Sequence, residues 1–205
     1  MNEIVSMNGR PAYHIMSTAT SGRFVDKIHK VRDLNESWMD VEKLHSLGYL
    51  KRLREGRYVE DSYVLYDHQH NRFISQRDRS KGGTKQSIGP IPPGVQDVLS
   101  SLYHLRLQDL KVGTEVVLDV NTGENWPMVV KVLRREKVKV PAGRFDCFVV
   151  QPLLRQQGIF ITKGKDMFIW LTADEKKMPV QMKVEVFIGH ITANLVKAER
   201  KGAEN

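Results

Sequence analysis

Two histidines in one polar turn are the first residues whose types and spacing could carry chemistry. His68 and His70 stand two positions apart in the stretch 67–71, where both rings could face one side of an extended backbone and share a metal ion. Only Asp67 lies nearby to add a ligand, and no cysteine or further carboxylate completes a recognisable set. The spacing therefore favours a solvated polar turn, and neither a metal site nor a cofactor is predicted.

A second group of polar side chains is predicted to share one helix. Ser100, Tyr103 and Arg106 recur at three-residue spacing, which places them in a slanted row beside an apolar stripe. In a ligand cavity between helix and sheet, Tyr103 and Arg106 would form the polar rim, and Arg106 could grip an anionic head group. The alternative is that Arg106 pairs with a carboxylate on the sheet and anchors the helix. Trp170 is the third candidate ligand-binding residue, although a tryptophan is more often core than cavity.

Catalytic motifs are missing from the sequence. It contains no Gly-Xaa-Ser-Xaa-Gly elbow, no phosphate loop and no dinucleotide fingerprint. The Gly-Gly-Thr-Lys stretch at 82–85 has the wrong spacing for a phosphate loop and precedes no predicted helix, so we interpret it as a hinge. No catalytic residue is predicted, and a non-enzymatic protein is expected.

The chain is basic, with 32 Lys and Arg against 24 Asp and Glu among 205 residues, a net charge of +8 and a pI near 9.6. Such a balance favours acidic partners without identifying them. Basic residues cluster at 51–54, 77–85 and 134–139. Because Lys137 and Lys139 alternate with apolar strand positions, they are expected to face solvent, and nucleic acid is disfavoured as a partner. Anionic lipid or a surface polysaccharide suits the same charge.

Alternating apolar and polar residues predict a mainly β chain. The clearest hairpin covers 138–150, where a Pro-Ala-Gly turn joins two alternating segments. Cys147 is the only cysteine and shares the apolar face of the second segment, so it is predicted to be a buried core residue. Further strands are predicted at 12–20, 36–40, 44–53, 57–67, 72–76, 116–120, 128–132, 167–171, 180–188 and 191–195.

One amphipathic helix interrupts this pattern. Apolar residues recur with helical spacing from Val95 to Leu105, which predicts a helix over 95–107 that packs its stripe against the sheet. The residues before it, 77–94, are rich in Gly, Pro and basic side chains and are predicted to form the loosest region. The segment 21–31 fits either a short helix or the edge of a strand.

Six short motifs, taken in order, resemble a bacterial family known only as domain of unknown function 3108. They are Gly-Arg-Pro-Ala-Tyr-His at 9–14, Glu-Ser-Trp at 36–38, Asp-Val-Leu-Ser-Ser-Leu-Tyr-His-Leu-Arg at 97–106, Val-Pro-Ala-Gly-Arg-Phe at 140–145, Ile-Trp-Leu-Thr-Ala-Asp at 169–174 and Met-Pro-Val at 178–180. The resemblance covers nearly the whole chain and implies a periplasmic or cell-envelope protein. It carries over no catalytic residue. Members of the family usually begin with an export signal and a further strand, so an N-terminally truncated chain is expected.

Together these observations predict one β-rich domain over 1–205 with a charged tail at 198–205. The resemblance implies a curved antiparallel sheet or half-barrel, similar to that of the bacterial lipoprotein carriers, with the amphipathic helix packed against it. The leading hypothesis is binding of a lipid or other anionic amphiphile in that sheet. The alternative is a structural or assembly protein that acts through contacts with envelope proteins and has no ligand. No membrane-spanning run and no signal peptide is found in the sequence as given.

Overall fold

The computed structural model describes residues 3–22, 30–153, 166–185 and 190–199. These residues are organised in two compact units by their contacts. The first unit is drawn from 1–104 and 119–126, and the second from 105–118 and 127–205. Each unit is built mainly of antiparallel strands, as the alternation of apolar and polar residues predicts.

The first sheet contains seven strands that pair in sequence order. They are β1 (Glu3–Met7), β2 (Arg10–Thr20), β3 (Arg32–Asp40), β4 (Ser46–Glu55), β5 (Tyr58–Asp67), β6 (Arg72–Arg79) and β7 (Gly83–Pro90). In β3 every second residue is buried, since successive side chains point to opposite faces of a strand. The strands predicted over 12–20, 36–40, 44–53, 57–67 and 72–76 are confirmed as β2 to β6.

One face of this sheet, which we call the helix-side face, carries Ser37, Tyr49 and Val64. It lies towards α1 (Val98–Arg106), because the Ser37 hydroxyl donates to the carboxylate of Asp97, which immediately precedes the helix. Met39, Tyr49, Val64, Tyr66 and Phe73 are almost fully buried on it. The predicted helix is confirmed, and it begins three residues later than expected.

The second sheet contains six strands in the order β13-β12-β11-β10-β9-β8. They are β8 (Glu115–Asn121), β9 (Asn125–Val140), β10 (Gly143–Leu153), β11 (Met167–Thr172), β12 (Pro179–Glu185) and β13 (His190–Asn194). Its core cluster contains Cys147, Val149 and Trp170. Cys147 is confirmed as a core residue, and burial raises the pKa of its thiol to about 11.

One prediction about local structure is wrong. The stretch 82–85 is no hinge, because Asp78 pairs with Thr84 and Arg79 with Gly83 in a hairpin that extends as far as Pro90. Residues 77–94 therefore include a strand at the sheet edge, where neighbouring backbone hydrogen bonds outweigh a composition poor in strand formers. In the second sheet, the strand predicted over 191–195 is confirmed as the end strand β13, which pairs with β12 and is exposed along its whole length.

Several predictions fall wholly or partly outside the described residues. They concern the segment 21–31, the end of the strand predicted over 180–188 and the tail 198–205.

The predicted fold class, mainly β and antiparallel with one helix, is confirmed. Within the described ranges the strands form two sheets, and in neither does the first strand pair with the last to close a barrel. The single-domain organisation stays a prediction. No helix in the described part of the chain is long and apolar enough to cross a membrane.

The turn of the 138–150 hairpin depends on one glycine. Gly143 has φ +142°, a conformation that residues with a Cβ rarely adopt. We expect Gly143→Ala to lower the free energy of unfolding by about 1–2 kcal/mol, measured by urea denaturation. Gly22→Ala is the control, because no atom lies within 4 Å of its added Cβ and its φ is ordinary. Equal stability of the two variants would contradict the strained turn.

Candidate anion-binding site

Basic side chains from separate stretches of sequence meet on the helix-side face of the first sheet. Lys51 pairs with Ser62, Ser62 with Arg77, and Arg77 with Lys85. Directly opposed residues in antiparallel strands point to the same face, so these four residues form one line across β4 to β7. We call this line the basic row. Because neighbouring strands are about 4.8 Å apart, it places three cations within about 14 Å.

A buried carboxylate lies beside the basic row. Glu60 is only 1% exposed, and its oxygens contact Lys51 Nζ at 2.7 Å and Arg79 Nε at 2.6 Å. The Tyr58 hydroxyl donates a further hydrogen bond to Glu60 at 2.6 Å. Burial raises the pKa of Glu60, but the hydrogen bonds from Lys51, Tyr58 and Arg79 outweigh it and lower this pKa to about 2. Glu60 is therefore a fixed negative charge at neutral pH.

The charges of this region are unbalanced. The five side chains of Lys51, Arg77, Arg79, Lys85 and Glu60 together carry a net charge of +3, and a second buried carboxylate, Asp33, lies on the same face in β3. Arg77 and Lys85 form no ion pair with any described residue. Like charges directly opposite each other on a sheet destabilise it, so an anion placed between Arg77 and Lys85 would relieve this repulsion. The arrangement suits phosphate, sulfate or carboxylate groups.

The adjoining row on the same face is apolar on β4 and β5 and carries Ser75 and Ser87 on β6 and β7. Tyr49 pairs with Val64 there, two residues along their strands from Lys51 and Ser62, and both are 2% exposed. The Tyr49 hydroxyl donates to Asn35 Oδ1 at 3.1 Å. The basic row thus lies at the border between the apolar core of this face and its polar end.

The three ligand-binding candidates predicted from sequence have other contacts. Arg106 donates from Nε and Nη2 to the Lys176 carbonyl at 3.1 and 2.9 Å, so its guanidinium is engaged with the turn after β11. Trp170 lies in the core cluster of the second sheet and donates from Nε1 to Glu136 at 2.6 Å. Tyr103 is half-buried on α1. A ligand-binding role for these three residues stays a prediction.

The two histidines of the 67–71 turn point to different partners. His68 Nε2 lies 2.7 Å from the Ser46 carbonyl and its ring stacks on His45, with 3.5 Å between centroids. Burial and the neighbouring His68 lower the pKa of His45 to about 4. His70 Nδ1 instead contacts Asp67 at 2.7 Å. Across the described ranges, no group of three or more potential metal ligands converges.

The sequence did contain a signal for the basic row. Lys51, Arg77 and Lys85 belong to the two basic clusters at 51–54 and 77–85, which sequence reasoning treated as separate surface features. With 68–71 and 80–82 as the loops of two tight hairpins, Ser62 falls opposite Arg77 and Arg77 opposite Lys85, as observed.

Comparison with solved structures finds a distant likeness. A crystal structure from Brucella abortus, described as a beta-barrel-like protein of domain of unknown function DUF1849, shares 10% identity with this chain at a TM-score of 0.41. The alignment covers 91% of this chain and 95% of that one. None of the curated proteins compared with the chain matches it.

A family model gives the assignment. The family described as protein of unknown function (DUF3108) matches residues 1–196. Motifs that carry the sequence resemblance come together within each unit of the structure. In the first unit the Ser37 hydroxyl lies 2.6 Å from Asp97, and in the second the Ala173 backbone N–H donates to the Asp146 carbonyl, next to the Arg-Phe of the hairpin, at 2.8 Å. The chain belongs to the DUF3108 family.

Proposed function

We propose that this protein is a non-enzymatic binding protein of the bacterial cell envelope that holds an anionic amphiphile. The observation that carries the proposal is the basic row, in which Arg77 and Lys85 stand directly opposite each other without an acidic partner in the described residues. An anionic head group would bridge these cations and Lys51 through charge-assisted hydrogen bonds. The envelope setting comes from the family resemblance and the absence of an enzymatic role from the missing catalytic motifs.

The position of the row supports an amphiphile over a simple anion. A molecule bound there would meet the charged side chains at one end and the apolar row of Tyr49 and Val64 at the other. Since these apolar residues are buried, a tail would have to displace part of the packing above them. We therefore expect head-group contacts to supply most of the affinity and the tail to add a smaller share.

The test compares three probes that separate head from tail: inorganic phosphate, dodecyl phosphate below its micelle concentration, and dodecyl maltoside. We expect isothermal titration calorimetry to detect dodecyl phosphate most strongly, phosphate weakly and the maltoside not at all. Arg77→Gln combined with Lys85→Gln should weaken dodecyl phosphate binding at least about tenfold, since each charge-assisted hydrogen bond contributes about 1.5–3 kcal/mol.

The matched control removes two cations elsewhere. Lys137→Gln with Lys139→Gln changes the total charge by the same amount on exposed strand positions of the second unit. Binding unchanged in this control and lost in the basic-row variant supports a specific site. An equal loss of dodecyl phosphate affinity in both double variants would mean that the ligand is attracted only by the total positive charge. Binding of dodecyl maltoside as strong as that of dodecyl phosphate would overturn the role of the anionic head group.

The second candidate function is assembly through protein contacts, and one observation favours it. On the other face of the first sheet, Ile74 and Ile88 stand opposite each other and are 37% and 69% exposed. Ile88 belongs to the edge strand β7, whose outer backbone groups could accept an added strand. Native mass spectrometry of protein from an envelope fraction discriminates the two functions: a stoichiometric amphiphile supports the first, and protein that stays empty in envelope lipids supports assembly.

A further inference from the structure

A cavity of about 280 Å³ lies in the second unit, whereas the basic row belongs to the first. It forms where the tip of the β9–β10 hairpin meets the turn after β11, and the Ala173 N–H holds the two together by donating to the Asp146 carbonyl at 2.8 Å. Its lining includes Arg135, Arg144, Phe145, Asp146, Thr172 and Asp174. Its volume falls just below the usual range for ligand pockets, about 300–1,000 Å³, which suits a single small molecule.

One pair of the lining charges is already neutralised. Arg135 donates from Nε and Nη2 to the two carboxylate oxygens of Asp146 at 3.0 and 2.7 Å. This bidentate pairing fixes both side chains and removes them as strong charges towards a ligand. The remaining charged groups of the lining are Arg144 and Asp174.

Arg144 and Asp174 keep their charges uncompensated within the described residues. Arg144 is exposed and stands directly opposite another cation, Lys139. Asp174 accepts from the Thr172 hydroxyl at 2.6 Å and the Lys177 backbone N–H at 3.1 Å, both uncharged donors. The Thr172 hydrogen bond lowers the pKa of Asp174, so the carboxylate is ionised at neutral pH and held in a fixed orientation.

The lining therefore presents one available cation and one available anion, with no net charge overall. We propose that this cavity binds a small dipolar molecule of the amino-acid class, whose carboxylate contacts Arg144 and whose ammonium group contacts Asp174. Phe145 also lines the cavity and packs against the core cluster of the second sheet. The site differs from the basic row, where the net charge of +3 favours anions.

The experiment follows backbone amide shifts of Phe145, Thr172 and Ala173 by NMR during titration of the intact chain. Glycine, leucine and lysine share the dipole and are the probes; 4-methylpentanoate and isoamylamine each carry only one of leucine's charges. We expect saturable shifts at about millimolar affinity with at least one amino acid, and binding at least about tenfold weaker for the single-charge analogues.

Arg144→Gln and Asp174→Asn should each weaken amino-acid binding at least about tenfold. Asparagine keeps the Oδ1 acceptor used by Thr172 and Lys177, so the turn is retained. If the Asp174→Asn variant nevertheless unfolds, Arg144→Gln tests the proposal, because Arg144 is exposed and its replacement leaves the fold intact. Lys137→Gln, a cation on the same hairpin outside the cavity lining, is the control. Absence of saturable shifts with all three amino acids, or binding unaffected by Arg144→Gln, would overturn the proposal.

Discussion

Replacing Asp97 by alanine is expected to lower the free energy of unfolding by about 3 kcal/mol or more. Asp97 is fully buried, and its two carboxylate oxygens serve different elements. Oδ1 accepts from the backbone N–H groups of Leu99 and Ser100 at 2.7 and 3.0 Å, which caps the start of α1. Oδ2 accepts from the Ser37 and Ser46 hydroxyls at 2.6 Å each, which ties the helix start to β3 and β4.

Alanine removes both functions at once. Loss of the helix cap costs about 1 kcal/mol, and leaving buried hydroxyl groups without their acceptor costs about 1–3 kcal/mol more. Urea denaturation followed by tryptophan fluorescence measures the change. Asp97→Asn should cost much less, because its amide oxygen still caps the helix and the two serine hydroxyls can rotate to accept from its amide nitrogen.

A surface aspartate provides the reference for the Asp97 series. Asp109 is exposed and, within the described residues, pairs with Lys111 alone, so Asp109→Ala is expected to change stability by less than about 1 kcal/mol. If Asp97→Ala proved no more damaging than Asp109→Ala, Asp97 would not be the link between helix and sheet.

The surroundings of Asp97 show which features of the helix could be predicted from the sequence and which could not. The apolar stripe predicted the helix, because a 3.6-residue period is a local property. The cap was missed because the stripe was extended back to Val95, although an aspartate before an apolar run is a recognised helix start. That this carboxylate would also bind Ser37 and Ser46 could not be predicted, since both partners lie more than fifty residues away in the chain.

The strands show the same difference between local features, which the sequence predicts, and features that depend on distant residues, which it does not. The 138–150 hairpin was predictable because its turn residues and its alternation lie within one short segment. Strand β7 was missed because Gly, Lys, Gln and Pro are weak strand formers, and at a sheet edge the neighbouring strand decides the conformation. The basic row depends on the registers of three successive hairpins, so an error of one residue at any turn would have moved a cation to the other face.

Glu60 connects the stability of the first sheet with its proposed ligand. Glu60→Gln is expected to lower the free energy of unfolding by about 3 kcal/mol at neutral pH, because it leaves Lys51 and Arg79 without their carboxylate partner. The pKa supports this magnitude. The pKa of Glu60 falls from 4.5 to about 2 on folding, and each pKa unit corresponds to about 1.4 kcal/mol.

The sign of the pH dependence follows from the direction of this shift. A carboxyl group with a lowered folded pKa contributes its full stability above the unfolded pKa of 4.5 and loses it as the pH falls towards about 2. Glu60→Gln lacks this group. The difference in unfolding free energy between wild type and variant should therefore be largest above pH 4.5 and shrink towards pH 2, measured by urea denaturation across that range.

The adjacent residue supplies a matched control. Asp61 points to the opposite face and pairs with the partly exposed Arg54 at 2.8 Å, so Asp61→Asn removes the same charge at a cost below about 1 kcal/mol. Because this variant retains Glu60, it should keep the contribution that Glu60 makes to the pH dependence between 4.5 and 2.

Ligand binding separates the two variants further. Glu60→Gln raises the net charge around the basic row from +3 to +4 and frees Lys51 and Arg79 to contact an anion. Dodecyl phosphate should consequently bind this variant more tightly than wild type, although the variant is less stable. Asp61→Asn should change the affinity far less. Tighter binding of dodecyl phosphate together with lower stability is expected only if Glu60 competes with the ligand for the same cations. Weaker binding to Glu60→Gln would contradict that competition and would mean that Glu60 positions the cations for the ligand.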